Sequence, residues 1–165
     1  MVPDVTIRRA TGDDIPAIQR VARASWREAY SAFVPENVID EMLAYGYSVE
    51  FLEEAIDTPS VTLFVAEDEY SVVGYVSCEA PEEGDTGQIS IYVSPDYWAE
   101  GIGTQLLDHA ESFLAEQGAG RLQDVVLAAN DVGNAFYAKH FEHTAETTVE
   151  MGDEEFEANV YSAEL

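Results

Sequence analysis

The chain has 165 residues, a length that suits one domain around one buried core. Hydrophobic residues make up 47% of it, which excludes a disordered chain, and 33 acidic residues against 7 basic ones leave a net charge of −26. That balance also excludes a direct nucleic-acid binder, because no basic patch is available to neutralise phosphates.

The acids are scattered through every segment, so they read as the solvated surface of a folded domain. Lys139 is the only lysine. Such a surface suits a halophilic protein, since molar salt screens like charges within about 3 Å. An ordinary acidic protein that avoids nucleic acid is the plainer alternative. Cys78 is the only cysteine, so an internal disulfide and a cysteine-rich metal site are excluded. His109, His140 and His143 lack ligand spacing, and no metal is expected. Met1 to Arg9 has no apolar core of signal-peptide length, and no run reaches the ~18 apolar residues of a membrane span. The expectation is a cytoplasmic protein with no membrane partner.

"VTIRRA", Val5 to Ala10, alternates as a strand does. "TGDD" follows, where Thr11 or Asp13 can accept free N–H groups at a helix start. Ile15, Ile18, Ala22, Trp26, Ala29, Tyr30 and Phe33 then recur at helical spacing, with Pro16 tolerable in the first turn. Pro35 opens a second helix through Met42 and Leu43, and a third covers Val49 to Ile56 and stops before Pro59. The period then switches to two. Val61 to Glu67, Ser71 to Glu79 and Gly87 to Val93 read as three strands of a meander. A glycine turn leads into a helix from Thr104 to Gln117, which Gly118 is placed to end. Leu122 to Ala129 reads as a strand, Asp131 to His140 as a helix, and the remainder as a hairpin turning at Gly152 and Asp153. A strand, a helix and a strand in this order imply a parallel pair. The whole reads as an α/β (α+β) chain, β-α-α-α-β-β-β-α-β-α-β-β. Helices flank a mixed central sheet of about six to seven strands. No repeat, linker or boundary divides it, so residues 1–165 are read as a single domain.

The chemistry concentrates in the glycine turn. A helix begins with about four unpaired N–H groups, which carry roughly half a positive charge and form a natural anion site. Gly101 and Gly103 have no Cβ to hold an anion off, and Thr104 adds a hydroxyl. A diphosphate fits, although a glycine turn between strand and helix can also be purely structural. A dinucleotide fingerprint would need a third glycine near the position that Leu106 occupies.

"IYVSPDYWAEGIGTQLL", Ile91 to Leu107, resembles the acyl-CoA-binding motif of the GNAT superfamily of N-acyltransferases. That motif is a strand ending in hydrophobic-Val-x-Pro, then Gln/Arg-x-x-Gly-x-Gly/Ala, then a helix. "NDVGNAFYAKHF", Asn130 to Phe141, is similar to the second family signature, an Asn with a Tyr seven residues later. "IRRATGDDIPAIQRVARASW" is similar to the first strand and helix of many members, so the resemblance covers nearly the whole chain. Three positions depart from the pattern. Trp98 stands at the Gln/Arg position, Glu100 where basic residues are common, and His140 where a glycine usually precedes the Phe.

The resemblance implies an N-acetyltransferase. It would move an acetyl group from acetyl-CoA, a co-substrate, to a primary amine by direct attack in a ternary complex. It further implies that the backbone of Trp98, Ala99, Glu100, Gly101, Ile102, Gly103 and Thr104 holds the CoA pyrophosphate. Ile91 and Val93 would pair with the pantetheine arm as an added strand, and Asn130 would either bond that arm or cap its own helix. Val93 N–H would face the developing oxyanion, and Tyr137 would give the leaving thiolate its proton, unless it only packs beside Phe136 and Phe141. Gln88 stands where some members carry a glutamate base, and Glu79 is the substitute at the end of the preceding strand. The acceptor would be a small-molecule or peptide amine, and a homodimer is open. The rival readings are a non-catalytic acyl-CoA sensor and an interaction module.

Circular dichroism across a salt titration tests the charge argument. Helix and strand content is expected to rise towards molar salt, and full folding in low salt would count against a halophilic surface.

Overall fold

The computed structural model describes residues 4–165. Residues 1–3, part of the stretch read for a signal sequence, lie outside the described residues. Seven strands and five helices follow the expected order: β1 (Thr6–Arg9), α1 (Ile15–Tyr30), α2 (Glu36–Gly46), α3 (Val49–Asp57), β2 (Val61–Glu67), β3 (Val72–Glu79), β4 (Thr86–Val93), α4 (Ile102–Glu116), β5 (Arg121–Leu127), α5 (Asp131–His140), β6 (Glu142–Met151) and β7 (Glu154–Glu164). They form one sheet in the order β1-β2-β3-β4-β5-β7-β6. Only β4 and β5 run parallel, joined through α4 as the strand-helix-strand order requires. Among the described residues, no helix is long and apolar enough to cross a membrane.

The sheet separates two cores. On one face Leu106, Leu107, Ala110 and Leu114 of α4 pack with Val76, Cys78, Ile89 and Leu122. On the other, Ile18, Val21 and Ala22 of α1, Ile39 and Leu43 of α2 and Leu52 of α3 pack with Val65 and Tyr75. Strand β2 shows why its sequence is a continuous apolar run. Phe64 and Ala66 point to the first core, Val65 and Leu63 to the second.

The start of α1 is tied down by one carboxylate. Asp14, and not Asp13, accepts the Thr11 N–H at 2.8 Å. The same group takes both arms of Arg8, at 2.8 and 2.9 Å, and Arg8 reaches on to Glu67 at 3.0 Å. The Arg8 guanidinium holds the Asp14 carboxyl below the usual carboxylate range. Ser48 caps α3 by accepting the Phe51 N–H at 3.1 Å.

Strands β4 and β5 stay together only briefly. Thr86, Gly87 and Gln88 pair with Arg121, Leu122 and Gln123, and there the ladder ends. Beyond that point β4 keeps to β3 as far as Val93, and β5 keeps to β7 as far as Leu127. A gap therefore opens in the middle of the sheet. The closed end is fixed by packing, since a Cβ on Gly87 would lie 2.7 Å from Leu114 Cδ2 of α4.

Leu106 is fully buried where α4 crosses the sheet. Leu106→Ala is expected to cost about 2–5 kcal/mol of stability, from lost burial and the cavity left behind. Denaturant unfolding in molar salt measures it.

Candidate active site

Past the end of its pairing with β5, β4 carries main-chain groups with no strand to meet. Ser94 N–H donates to Val73 O at 2.8 Å, and Gly74 stands opposite Val93. By the alternation of an antiparallel ladder, Ile91 and Val93 turn their N–H and C=O groups away from β3 and into the gap. Val93 O is used there: it accepts Trp98 Nε1–H at 2.7 Å and the Ser25 hydroxyl at 2.9 Å.

The loop after β4 is built to reach α4 at a set angle. Pro95 to Tyr97 make one tight turn, and the Tyr97 hydroxyl donates to Asp68 at 2.8 Å. The Trp98 indole then ties the loop back to β4. Trp98 thus holds the loop in place of a polar contact from its side chain to a ligand. Ala99 (φ 62°) and Gly101 (φ 88°) adopt left-handed backbone, which turns the chain into the helix. Helix α4 begins at Ile102, two residues earlier than the sequence suggested, so Gly101 is its N-cap and Gly103 sits inside its first turn. The first helical bond is Gln105 N–H to Gly101 O at 3.2 Å, and the amides of Ile102, Gly103 and Thr104 have no helical partner.

These parts line one cleft of about 490 Å³, a size typical of small-molecule sites. Ile91 and Val93 form one wall, the stretch from Trp98 through Thr104 without Glu100 another, and α5 the third, with Phe136, Tyr137, Lys139 and His140. A Cβ on Gly103 would come within 3.0 Å of Phe136 Cε1, so α4 and α5 meet closely there because the residue is glycine. Thr104 Oγ1 and His140 Nε2 share a hydrogen bond at 3.3 Å. Lys139, the one lysine of a strongly acidic chain, stands at this wall. A second groove of about 520 Å³ lies among α1, α2 and the segment after it. Its Arg27 is already engaged with Glu36 and Asp40.

Of the residues singled out from sequence, Ile91, Val93, Trp98, Ala99, Gly101, Ile102, Gly103, Thr104 and Tyr137 share the cleft. Glu100 is exposed and does not line it. Asn130 acts as the N-cap of α5: it accepts Gly133 N–H at 3.0 Å and donates to the Tyr30 hydroxyl at 3.4 Å. Glu79 needs correction. It is exposed at the closed end of the gap, paired with Gln88, five residues along β3 from the partner of Val93. At about 3.4 Å per residue that is roughly 17 Å away, too far to act on the same atoms. Gln88 lies at that end too, accepting from Gln123 at 3.3 Å. Cys78 is buried and its thiol is pushed up to about 12 by burial, so it has no nucleophilic role.

Sequence reasoning missed Asp124. It is the first residue of β5 beyond the paired segment, so it stands where the gap opens. The Tyr137 hydroxyl donates to its Oδ2 at 2.7 Å, and Val125 N–H donates to its Oδ1 at 2.8 Å. Burial lifts the carboxyl to about 7, against the lowering pull of those two donors. Tyr137 is itself raised well above its usual value, by burial first and by the Asp124 charge second. The available signal was a carboxylate inside the apolar strand "LQDVVLAA".

On the α1 side of the gap the hydroxyl-bearing rings of Tyr30, Tyr47, Tyr75 and Tyr92 cluster around Trp26. The Tyr75 hydroxyl donates to that of Tyr47. Trp26 packs edge-on against Tyr30 at 5.2 Å, and its indole nitrogen is buried without a hydrogen-bond partner among the described residues.

The family model of the GNAT acetyltransferases matches residues 21–142. A spermidine N(1)-acetyltransferase of Thermoplasma acidophilum is 26% identical over 140 residues, 82% of this chain and 86% of that protein. An uncharacterised N-acetyltransferase, YuaI, of Bacillus subtilis is 30% identical over 152 residues, 89% and 86% of the two chains. Among solved structures, the PaiA N-acetyltransferase of Thermoplasma acidophilum in complex with coenzyme A superposes with a TM-score of 0.83. The two are 22% identical, and the match covers 98% of this chain and 99% of that one. The seven-stranded sheet with its flanking helices is thus a GNAT fold. A family model spanning most of the chain, a relative of 30% identity and a shared fold agree: the chain belongs to the GNAT family of acetyltransferases.

Proposed function

We propose that the protein transfers an acetyl group from acetyl-CoA to a primary amine of a small-molecule or peptide acceptor, by direct attack in a ternary complex. One observation carries this reading. The unpartnered amides at the start of α4, the free edge of β4 and the Tyr137 side chain all line a single cleft. An anionic diphosphate suits the first, since the helix start is the positive end of its dipole. An extended amide-bearing arm suits the second, as an added strand would. A thioester lying between them would meet the Val93 N–H and Tyr137.

The chemistry follows from charge. An alkylamine with a pKa near ~10.4 must lose a proton before it attacks. As the C–N bond forms, charge grows on the thioester oxygen, and the Val93 N–H offers a preorganised donor there. When the C–S bond breaks, the thiolate takes the Tyr137 proton. Names among the relatives support an amine acceptor: one is a spermidine acetyltransferase. The reading includes one catalytic domain over residues 1–165, working in the cytoplasm of a cell adapted to high salt. The rival reading, a non-catalytic acyl-CoA sensor, rests on Gln88 and on His140 in place of the glycine that usually precedes the Phe. Gln88 lies at the closed end of the gap, paired with Gln123, and does not line the cleft.

Calorimetric titration with acetyl-CoA in molar salt tests binding, and thiol release with a panel of primary amines tests turnover. Binding without release from any amine would favour the sensor. Tyr137→Phe is expected to lower turnover about a hundredfold while leaving the CoA dissociation constant within about twofold. Gly101→Ala places a Cβ on left-handed backbone at a cost of about 1–2 kcal/mol, and CoA affinity is expected to fall about tenfold in the same titration.

A further inference from the structure

The reaction above leaves one proton without an owner. The amine sheds it as the C–N bond forms, and the thiolate needs one as the C–S bond breaks. We propose that Asp124 is the proton store behind Tyr137, taking up the amine's proton and returning it through the Tyr137 hydroxyl to the departing thiolate. The inference rests on the acetyl-transfer reading.

The geometry supplies the argument. Asp124 stands at the mouth of the gap between β4 and β5, one residue past the last paired position, Gln123. It is half-buried, and the Tyr137 side chain that bonds it lines the cleft. Tyr137 lines the cleft, and its hydroxyl donates to Asp124 Oδ2, 2.7 Å away. While Asp124 is ionised, it holds that proton, and Tyr137 cannot donate it elsewhere. Once Asp124 is protonated, its own O–H donates to the phenol oxygen and frees the Tyr137 proton for sulfur. The direction of one hydrogen bond thus follows the charge of one carboxyl.

The proton count closes. The amine nitrogen bonds the carbonyl carbon and gives a proton, directly or across one hydroxyl or water, to the Asp124 carboxylate. Asp124 passes a proton to the Tyr137 oxygen as Tyr137 passes its own to the thiolate. Amide and thiol leave, and the Asp124 carboxylate and Tyr137 phenol are restored. No oxidant, reductant or further reactant is required.

The surroundings allow Asp124 to change charge near neutral pH. Tyr137 from α5 donates to it and Tyr161 stands opposite it on β7, while its charge also helps to raise the Tyr30, Tyr47 and Tyr92 hydroxyls of α1, the segment between α2 and α3, and β4, which burial raises first. The Tyr75 hydroxyl of β3 bonds that of Tyr47, and the His143 ring lies tilted against Tyr161 with centroids 5.5 Å apart. Among the described residues no arginine or lysine forms an ion pair with Asp124. Burial without a cation favours the protonated carboxyl and lifts it to about 7. The ionised form that receives the amine's proton therefore grows in as pH rises through that value.

Asp124→Asn preserves shape and can still accept the Tyr137 O–H. With acetyl-CoA and spermidine as probes, it is expected to lower turnover at least tenfold, leave the KM for acetyl-CoA within about twofold, and remove an inflection near pH 7 from the rate profile. Wild-type turnover with the same inflection would overturn the inference. A second measurement stands apart from turnover. The infrared carbonyl band of a protonated carboxyl is expected to titrate near pH 7, vanish in Asp124→Asn, and titrate at higher pH in Tyr137→Phe, which loses the stabilising hydroxyl. A band that ignores Tyr137→Phe would overturn the pairing even if Asp124→Asn failed to fold or spermidine proved no acceptor. Failure of wild-type protein to release thiol from any amine would count against the acetyl-transfer reading alone.

Discussion

The structure depends on a parting of two strands. Parallel strands normally satisfy each other's main-chain groups along their length. Here β4 and β5 share three pairs and then diverge, because each stays bound to its antiparallel neighbour on the outer side. The unpaired edge of β4 has to be satisfied by something else. Trp98 and Ser25 cover Val93 O. The N–H groups of Ile91 and Val93 remain for a guest.

Everything around the gap serves to hold it open and aim it. Gly87 lets α4 close against the paired end, so the divergence has a fixed hinge. The turn from Trp98 through Gly101 swings the start of α4 over the open end, with Ile102 buried in the core as an anchor. Gly103 admits Phe136 and so brings α5 up to form the far wall. The positive end of α4 and the polar edge of β4 then meet across one cleft. Two weak features, a helix start and a strand edge, together define a site for an elongated molecule that is anionic at one end.

The same parting sets the chemistry of the interior. A gap in a sheet lets polar groups sit where apolar ones would otherwise pack. Tyrosines from α1, β3, β4, α5 and β7 converge there, and a lone carboxyl joins them. Burial alone would favour removing such a group, since a charge without a cation is costly to hold. On the proposed mechanism, its place beside Tyr137 serves the reaction and not stability. The acidic exterior is a separate matter. Its charges are spread over exposed positions such as those of β6 and enter none of the cleft's walls except through the absence of Glu100 from them.

Much of this was legible in the sequence. Period-two runs and helical stripes gave every element in order, with most boundaries within a residue or two, because each element buries a face and burial imposes its own period. The glycine turn and the two family signatures marked the cleft, because close backbone approach requires glycine wherever it occurs. What sequence could not supply was distance between elements. Spacing along the chain could not say whether Glu79, the substitute base, lies near Tyr137, the proton donor. Register alone puts Glu79 at the closed end of the gap and Tyr137 at the open one. Asp124 looked like one acid among 33, since a carboxylate is identical in letters whether solvated or buried. Only the packing of α5 and β7 against β5 removed its water and brought the Tyr137 hydroxyl to it. Local periodicity determined the elements, and the tertiary arrangement decided which carboxyl could hold a proton at neutral pH.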